Sequence, residues 1–175
     1  ETGFYAVVTN LKTGEAEYIR LKSVFDQMDT VRASGSLPFA SKPVEIDGNL
    51  YLDGGVGDNI PFEWMMKKTN GKIVVISTKH DGYRNKGRTK FFSWVYKRKY
   101  PIFAKVLGQR GKLFNAQLDQ LKKYEQEGKL FVFRPSEKMK LSRLEKNPDK
   151  MQKAYELGVN DAKRLYDSLR EFLTK

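Results

Sequence analysis

Leu50-Tyr51-Leu52-Asp53-Gly54-Gly55-Val56-Gly57-Asp58-Asn59-Ile60-Pro61 is the stretch on which the fold reading turns. Its first three residues are apolar and run into a carboxylate. Glycine then fills three of the next four positions, too often for a regular element, so a strand is expected to stop at Asp53. Upstream, Val44-Glu45-Ile46 is joined to Leu50-Tyr51-Leu52 by Asp47-Gly48-Asn49, which has the turn chemistry of a hairpin. Downstream, Pro61 suits the first turn of a short helix reaching Lys68. The apolar run Ile73-Val74-Val75-Ile76 then predicts a buried parallel strand. Strand, helix and buried strand in that order predict an α/β layered fold.

Further out, Phe4–Thr9 and Ala16–Ile19 flank Lys12-Thr13-Gly14 as a second hairpin. Leu21, Val24, Phe25, Met28 and Val31 recur at helical spacing, and Pro38 and Pro43 mark a loop. The second part of the chain reads as mostly helical. Helices are expected over 91–100 and 102–124, separated by Pro101, and a strand over 129–133. Asn147-Pro148 is a good cap and first-turn pair, and an apolar stripe from Met151 to Phe172 follows it.

The 175 residues can bury one substantial core, and 39% hydrophobic with 13% aromatic residues are the proportions of a folded globule. The absence of cysteine excludes disulfides, thiolate metal sites and a cysteine nucleophile, and fits a reducing compartment. No apolar run approaches the ~20 residues of a membrane-spanning helix. The chain begins at Glu1 and enters a strand at Phe4, so an upstream portion is expected. The net charge of +12 is unevenly placed. Residues 1–80 hold nine Lys/Arg against ten Asp/Glu, residues 81–112 hold ten against Asp81 alone, and residues 113–175 hold fourteen against ten. One segment therefore carries most of the surplus, which points to a localised anionic contact.

An Asp-Gly-Gly tripeptide alone is a common turn. Its context here is more specific: Arg32-Ala33-Ser34-Gly35-Ser36-Leu37-Pro38-Phe39, then Pro43-Val44, Leu50-Tyr51-Leu52-Asp53-Gly54-Gly55-Val56, Asp58-Asn59-Ile60-Pro61 and Ile73-Val74-Val75-Ile76-Ser77. This ordered string resembles the second half of the patatin-like phospholipases, most closely over residues 5–78. Phe133-Arg134-Pro135-Ser136 and Leu141-Ser142-Arg143-Leu144-Glu145 resemble a C-terminal extension found in a bacterial subgroup of that family.

The resemblance implies a partial three-layer α/β/α fold with a helical C-terminal extension. Residues 1–80 would be the C-terminal half of the catalytic domain, and 81–175 a basic extension packing on it. It also implies hydrolysis of phospholipid or another lipid ester by a Ser-Asp dyad, with no cofactor. The family's serine lies in Gly-x-Ser-x-Gly, and no serine here has that setting; Ser34 and Ser36 fail the test. Only Asp53 carries over as catalytic, so the serine and the oxyanion loop are expected outside this chain.

The chemistry agrees with that assignment. A serine hydroxyl is a poor nucleophile until a positioned base takes its proton, and a carboxylate withdrawn from water can do this in place of histidine. His80, in Lys79-His80-Asp81, occupies a polar turn and no motif selects it. Asn59 and Pro61 are expected to hold the loop, with Asn59 also a candidate helix cap.

Residues 82–112 combine the ten cations with Tyr83, Phe91, Phe92, Trp94, Tyr96, Tyr100 and Phe103. This is either a solvated basic face with its aromatics in the core or an interfacial patch on an anionic membrane. The lipid-hydrolase resemblance ranks a membrane surface above nucleic acid, which no recognised binding module supports. A cytoplasmic protein, peripheral to the membrane, is the corresponding location. The competing reading is a catalytically idle scaffold, or a binding module for anionic membrane or nucleic acid through this segment.

Overall fold

A computed structural model describes residues 2–87, 93–139, 141–142 and 145–174. The chain divides into two compact units, one of residues 1–61 and 85–118, the other of 62–84 and 119–175. Phe91 and Phe92 of the expected first helix, and Arg143 and Leu144, lie outside the described residues.

The first unit is built on an antiparallel sheet of order β2-β1-β4-β3. Its strands are β1 (Phe4–Asn10), β2 (Ala16–Leu21), β3 (Val44–Ile46) and β4 (Asn49–Asp53). The β3–β4 hairpin turns through Asp47 and Gly48, both with positive φ (48° and 75°). That is the pairing a tight two-residue hairpin requires. Tyr51 and Leu52 are neighbours on β4 and so face opposite sides of the sheet. Tyr51 packs with Val8, Val44 and Ala33 of helix α1 (Met28–Ser34). Leu52 packs with Leu11, Val56, Phe103 and Leu107, the last two from helix α4 (Pro101–Gln126). Helix, sheet and helix therefore stack as three layers in this unit, and the α/β class holds.

Tyr51 also ties the strands through polar bonds. Its hydroxyl donates to Glu17 Oε2 at 2.8 Å, while Asn10 Nδ2 donates to Glu17 Oε1 at 2.9 Å. Burial, and then the Glu17 carboxylate, push the phenol up to about 12, so it stays a donor at any ordinary pH.

The apolar spacing from Leu21 to Val31 predicts a longer helix than α1. Before Met28 the chain turns instead, and the Gln27 side-chain oxygen accepts from the backbone N–H of Lys22 at 2.7 Å. Phe25 is left 86% exposed. Local side-chain bonding to the backbone has displaced the helix.

The second unit holds α2 (Phe62–Lys68), β5 (Ile73–Ile76), β6 (Leu130–Phe133), α5 (Pro148–Thr174) and α4 from Asp119 onward. β5 and β6 pair in parallel, as the apolar run predicts. The expectation that β5 is buried on both faces is corrected, because Ile76 is 81% and Val74 39% exposed. Burial alternates along β5, as in a strand covered on one face only. Two helices part at Pro101 as expected: a short helix α3 (Trp94–Lys97) precedes it, and Pro101 is the first residue of α4. Asn147 caps α5 as its sequence suggests, accepting from Lys150 N at 3.1 Å.

Asp161 on α5 is buried and accepts from Ser136 N at 2.8 Å and from Arg164 Nη2 at 3.1 Å. Desolvation alone would raise its pKa. The Ser136 backbone and side-chain bonds and the Arg164 charge outweigh that, and the net shift is downward. Because the folded carboxyl holds its proton less tightly than the unfolded one, protonation favours unfolding. The stabilisation is full above the ordinary value of 3.8 and is lost as pH falls below it, through the lowered folded value. Asp161→Ala in the intact protein should therefore cost about 1–3 kcal/mol in denaturant melts at pH 7, with the difference from wild type shrinking under acid. A pH-independent difference would show that the loss is one of packing.

Candidate active site

Asp53 is the last residue of β4, opposite Val8 of β1 in the ladder. Its backbone is fixed on both sides: its N–H donates to Ser36 O at 2.8 Å, and its carbonyl accepts from the Thr9 hydroxyl at 2.8 Å. Thr9 is fully buried, and its Oγ1 also accepts from Gly57 N at 3.1 Å. One hydroxyl thus closes the start and the end of the glycine-rich turn onto β1. A carboxylate placed there projects from a strand end that has little freedom to move.

Gly54–Val56 form a single 3-10 turn rather than an irregular loop, a correction to the expectation that no regular element follows Asp53. Neither Gly54 nor Gly55 has positive φ. Glycine is needed at 54 for closeness instead: a Cβ there would lie 2.2 Å from the Val7 carbonyl oxygen. The turn orients the carboxylate, with Asp53 Oδ1 accepting from Gly55 N at 2.8 Å.

Helix α4 completes the site with residues the sequence reading did not select. Arg110 donates from Nε to Gly55 O at 2.6 Å and from Nη2 to Asn59 Oδ1 at 3.3 Å. The same Nη2 lies 3.8 Å from Asp53 Oδ2, with the two side chains 11% and 16% exposed. One turn pair further on, Gln117 donates to Asp58 Oδ1 at 2.5 Å and accepts from Asn59 N at 3.2 Å. Asp58 Oδ2 also accepts from the Tyr18 hydroxyl at 2.5 Å. Asn59 therefore holds the loop, and its side-chain oxygen is engaged by Arg110. The signal for Arg110 and Gln117 was in the sequence. They interrupt the buried stripe Phe103, Leu107, Phe114, Leu121 at helical spacing, seven residues apart.

His80 belongs to the second unit. Its Nδ1 contacts the Asp81 carbonyl at 2.5 Å and its ring meets Tyr83 edge-on at 6.2 Å. Asp81 in turn pairs with Lys122 and Arg134, at 3.2 and 3.4 Å. Among the described residues, no three His, Cys, Asp or Glu side chains converge as a metal site would require. No described helix is long and apolar enough to cross a membrane.

The basic aromatic segment divides. Phe103 is fully buried, and Tyr96 packs between Phe39 and Phe103 with ring centroids 5.2 and 5.1 Å away. Trp94 is 68% exposed, beside the exposed Lys97, Arg98 and Lys99. Of its described residues, part are core and part are surface, an exposed indole and exposed cations among them.

Two parts of the chain are similar to known families. Residues 9–65, which contain Thr9 and the whole Asp53–Asn59 turn, match the family described as patatin-like phospholipase. Residues 100–174 match a domain of unknown function, DUF6363. An uncharacterized NTE family protein of Mycobacterium bovis is 32% identical over 85 residues, 49% of this chain and 14% of the relative. Uncharacterized NTE family proteins from two strains of Mycobacterium tuberculosis match to the same extent. The matched stretch is thus about one seventh of the length of these relatives. The stretch that holds the Asp53 turn is thus similar to the patatin-like phospholipase family, over residues 9–65.

Proposed function

We propose that the protein is a lipid acyl hydrolase working through a Ser-Asp dyad, in which Asp53 is the base and the serine lies outside residues 1–175. The observation that carries this reading is the position of Asp53: a shielded carboxylate at a strand end, oriented by Gly55 N–H, within the patatin-like stretch. Residues 1–80 are, on this reading, the C-terminal half of the catalytic domain and 81–175 its basic extension. Asp53 takes the serine proton as the hydroxyl oxygen attacks the ester carbonyl. The tetrahedral intermediate collapses to an acyl-serine, and the proton passes to the departing alcohol. Water then attacks the acyl-serine with Asp53 again the base, releasing the fatty acid.

Separating the chain from its serine tests this. Full-length protein should hydrolyse a fluorogenic acyl ester, and the 175-residue chain alone should show no turnover above background. Turnover by the 175-residue chain that disappears in Asp53→Asn would place the nucleophile inside it and overturn the division.

A peripheral contact with anionic membrane is the partner we assign to the exposed part of the basic segment, from Trp94 and its neighbouring cations. Each Lys or Arg near such a surface contributes about 1 kcal/mol, screened within a Debye length. Reversing Lys97, Arg98 and Lys99 to glutamate should abolish most of the preference for anionic over zwitterionic vesicles. Hydrolysis of a soluble short-chain ester should be unaffected. Equal binding of the wild-type protein to both vesicle types would return the segment to a solvated basic face.

A further inference from the structure

Arg110 occupies a position that its helix would ordinarily give to an apolar residue. Phe103, Leu107, Phe114 and Leu121 are the buried residues of the same stripe, and a leucine at 110 would continue it without desolvating a charge. A guanidinium left 11% exposed needs partners that recover the cost of burial. It reaches three groups of one loop: Gly55 O, Asn59 Oδ1 and the Asp53 carboxylate. Gly55 is consequently held at both of its polar groups, its N–H by Asp53 Oδ1 and its carbonyl by Arg110 Nε. Asn59 is held likewise, its N–H by Gln117 and its side-chain oxygen by Arg110. A rigid planar fork can fix two acceptors at a set angle, whereas a lysine offers a single swinging charge.

Taken together with the reading of Asp53 as the base, the geometry points to Arg110 as a positioning residue for Asp53. Helix α4 then sets the catalytic loop through Arg110 and Gln117. This gives a role to the segment that matches a domain of unknown function: residues 100–174 contain the helix that aims the carboxylate of the patatin-like part. In this role Arg110 neither gives nor takes the transferred proton. It keeps the Gly54–Val56 turn, and with it Asp53 Oδ1, at one orientation, and its charge keeps the loop's acceptors turned inward.

The test uses the full-length enzyme and a soluble short-chain ester. A displacement of about 1 Å at a reacting group can cost about 10²-fold in rate. Arg110→Met keeps the stem and removes the fork, and should lower kcat by about 10–100-fold with KM within about twofold of wild type. Arg110→Lys restores the charge without the fork and should recover part of the loss, settling about fivefold below wild type. Wild-type kcat in a folded Arg110→Met enzyme would overturn the inference. A raised KM with unchanged kcat would also overturn it, since that is a substrate contact. If Arg110→Met fails to fold, Arg110→Lys decides alone: a reduced kcat at constant KM supports positioning, and wild-type kinetics reject it. The two readings fail separately. An active Asp53→Asn enzyme removes the base assignment whatever Arg110 does, while an inactive Asp53→Asn with a normal Arg110→Met removes only the role of Arg110.

Discussion

Gly54→Ala should destabilise the intact protein by about 3 kcal/mol or more, the upper end of overpacking costs, and take the esterase activity with it. The added Cβ would lie 2.2 Å from the Val7 carbonyl oxygen, 2.5 Å from its carbon and 2.8 Å from the Val7 Cβ. The two nearest of these atoms are backbone of the central strand β1, so no rotamer change relieves the clash. Relief requires the 3-10 turn to move off β1, which breaks the Thr9 bonds to Asp53 and Gly57. Gly48→Ala is the matched control. A Cβ at 48 meets nothing within 4 Å, but its φ of 75° is left-handed. That strain should cost only about 1–2 kcal/mol, at a hairpin turn remote from Asp53. Denaturant melts of both variants read the difference. Equal costs for the two would show that the turn yields easily and that Asp53 is not held by its contact with β1.

Much of this site was legible in the sequence because its signals are local. Asp47-Gly48 dictates a tight turn, the unbroken apolar run Leu50-Tyr51-Leu52 fits a strand with two covered faces, and the glycines after Asp53 mark its end. Asn147-Pro148 likewise announced the start of α5. What stayed hidden depends on contacts between residues far apart in the chain. Arg110 meets Gly55 and Asn59 across more than 50 residues, and nothing near it in sequence names those partners. The apolar spacing from Leu21 to Val31 overstated helix α1, because the Gln27 side chain competes for the backbone N–H groups of Lys22 and Ser23. The run Ile73-Val74-Val75-Ile76 gave the strand and its parallel pairing but not its one-sided burial, which depends on what the rest of the chain lays against it.

The measurement closest to the central claim is the kcat of full-length Asp53→Asn on a soluble acyl ester. The amide is isosteric with the carboxylate and keeps an oxygen that can accept from Gly55 N–H, so the turn and the fold should persist. What is removed is the ability to take a proton from the serine. Loss of a general base costs typically 10²–10⁴-fold, so kcat should fall by about that factor. KM should change little, because the carboxylate is assigned to the chemical step and not to holding the lipid. Thermal unfolding within a few degrees of wild type would establish that the variant is folded. A folded Asp53→Asn enzyme with kcat close to wild type would contradict the account, and the base would have to be sought elsewhere.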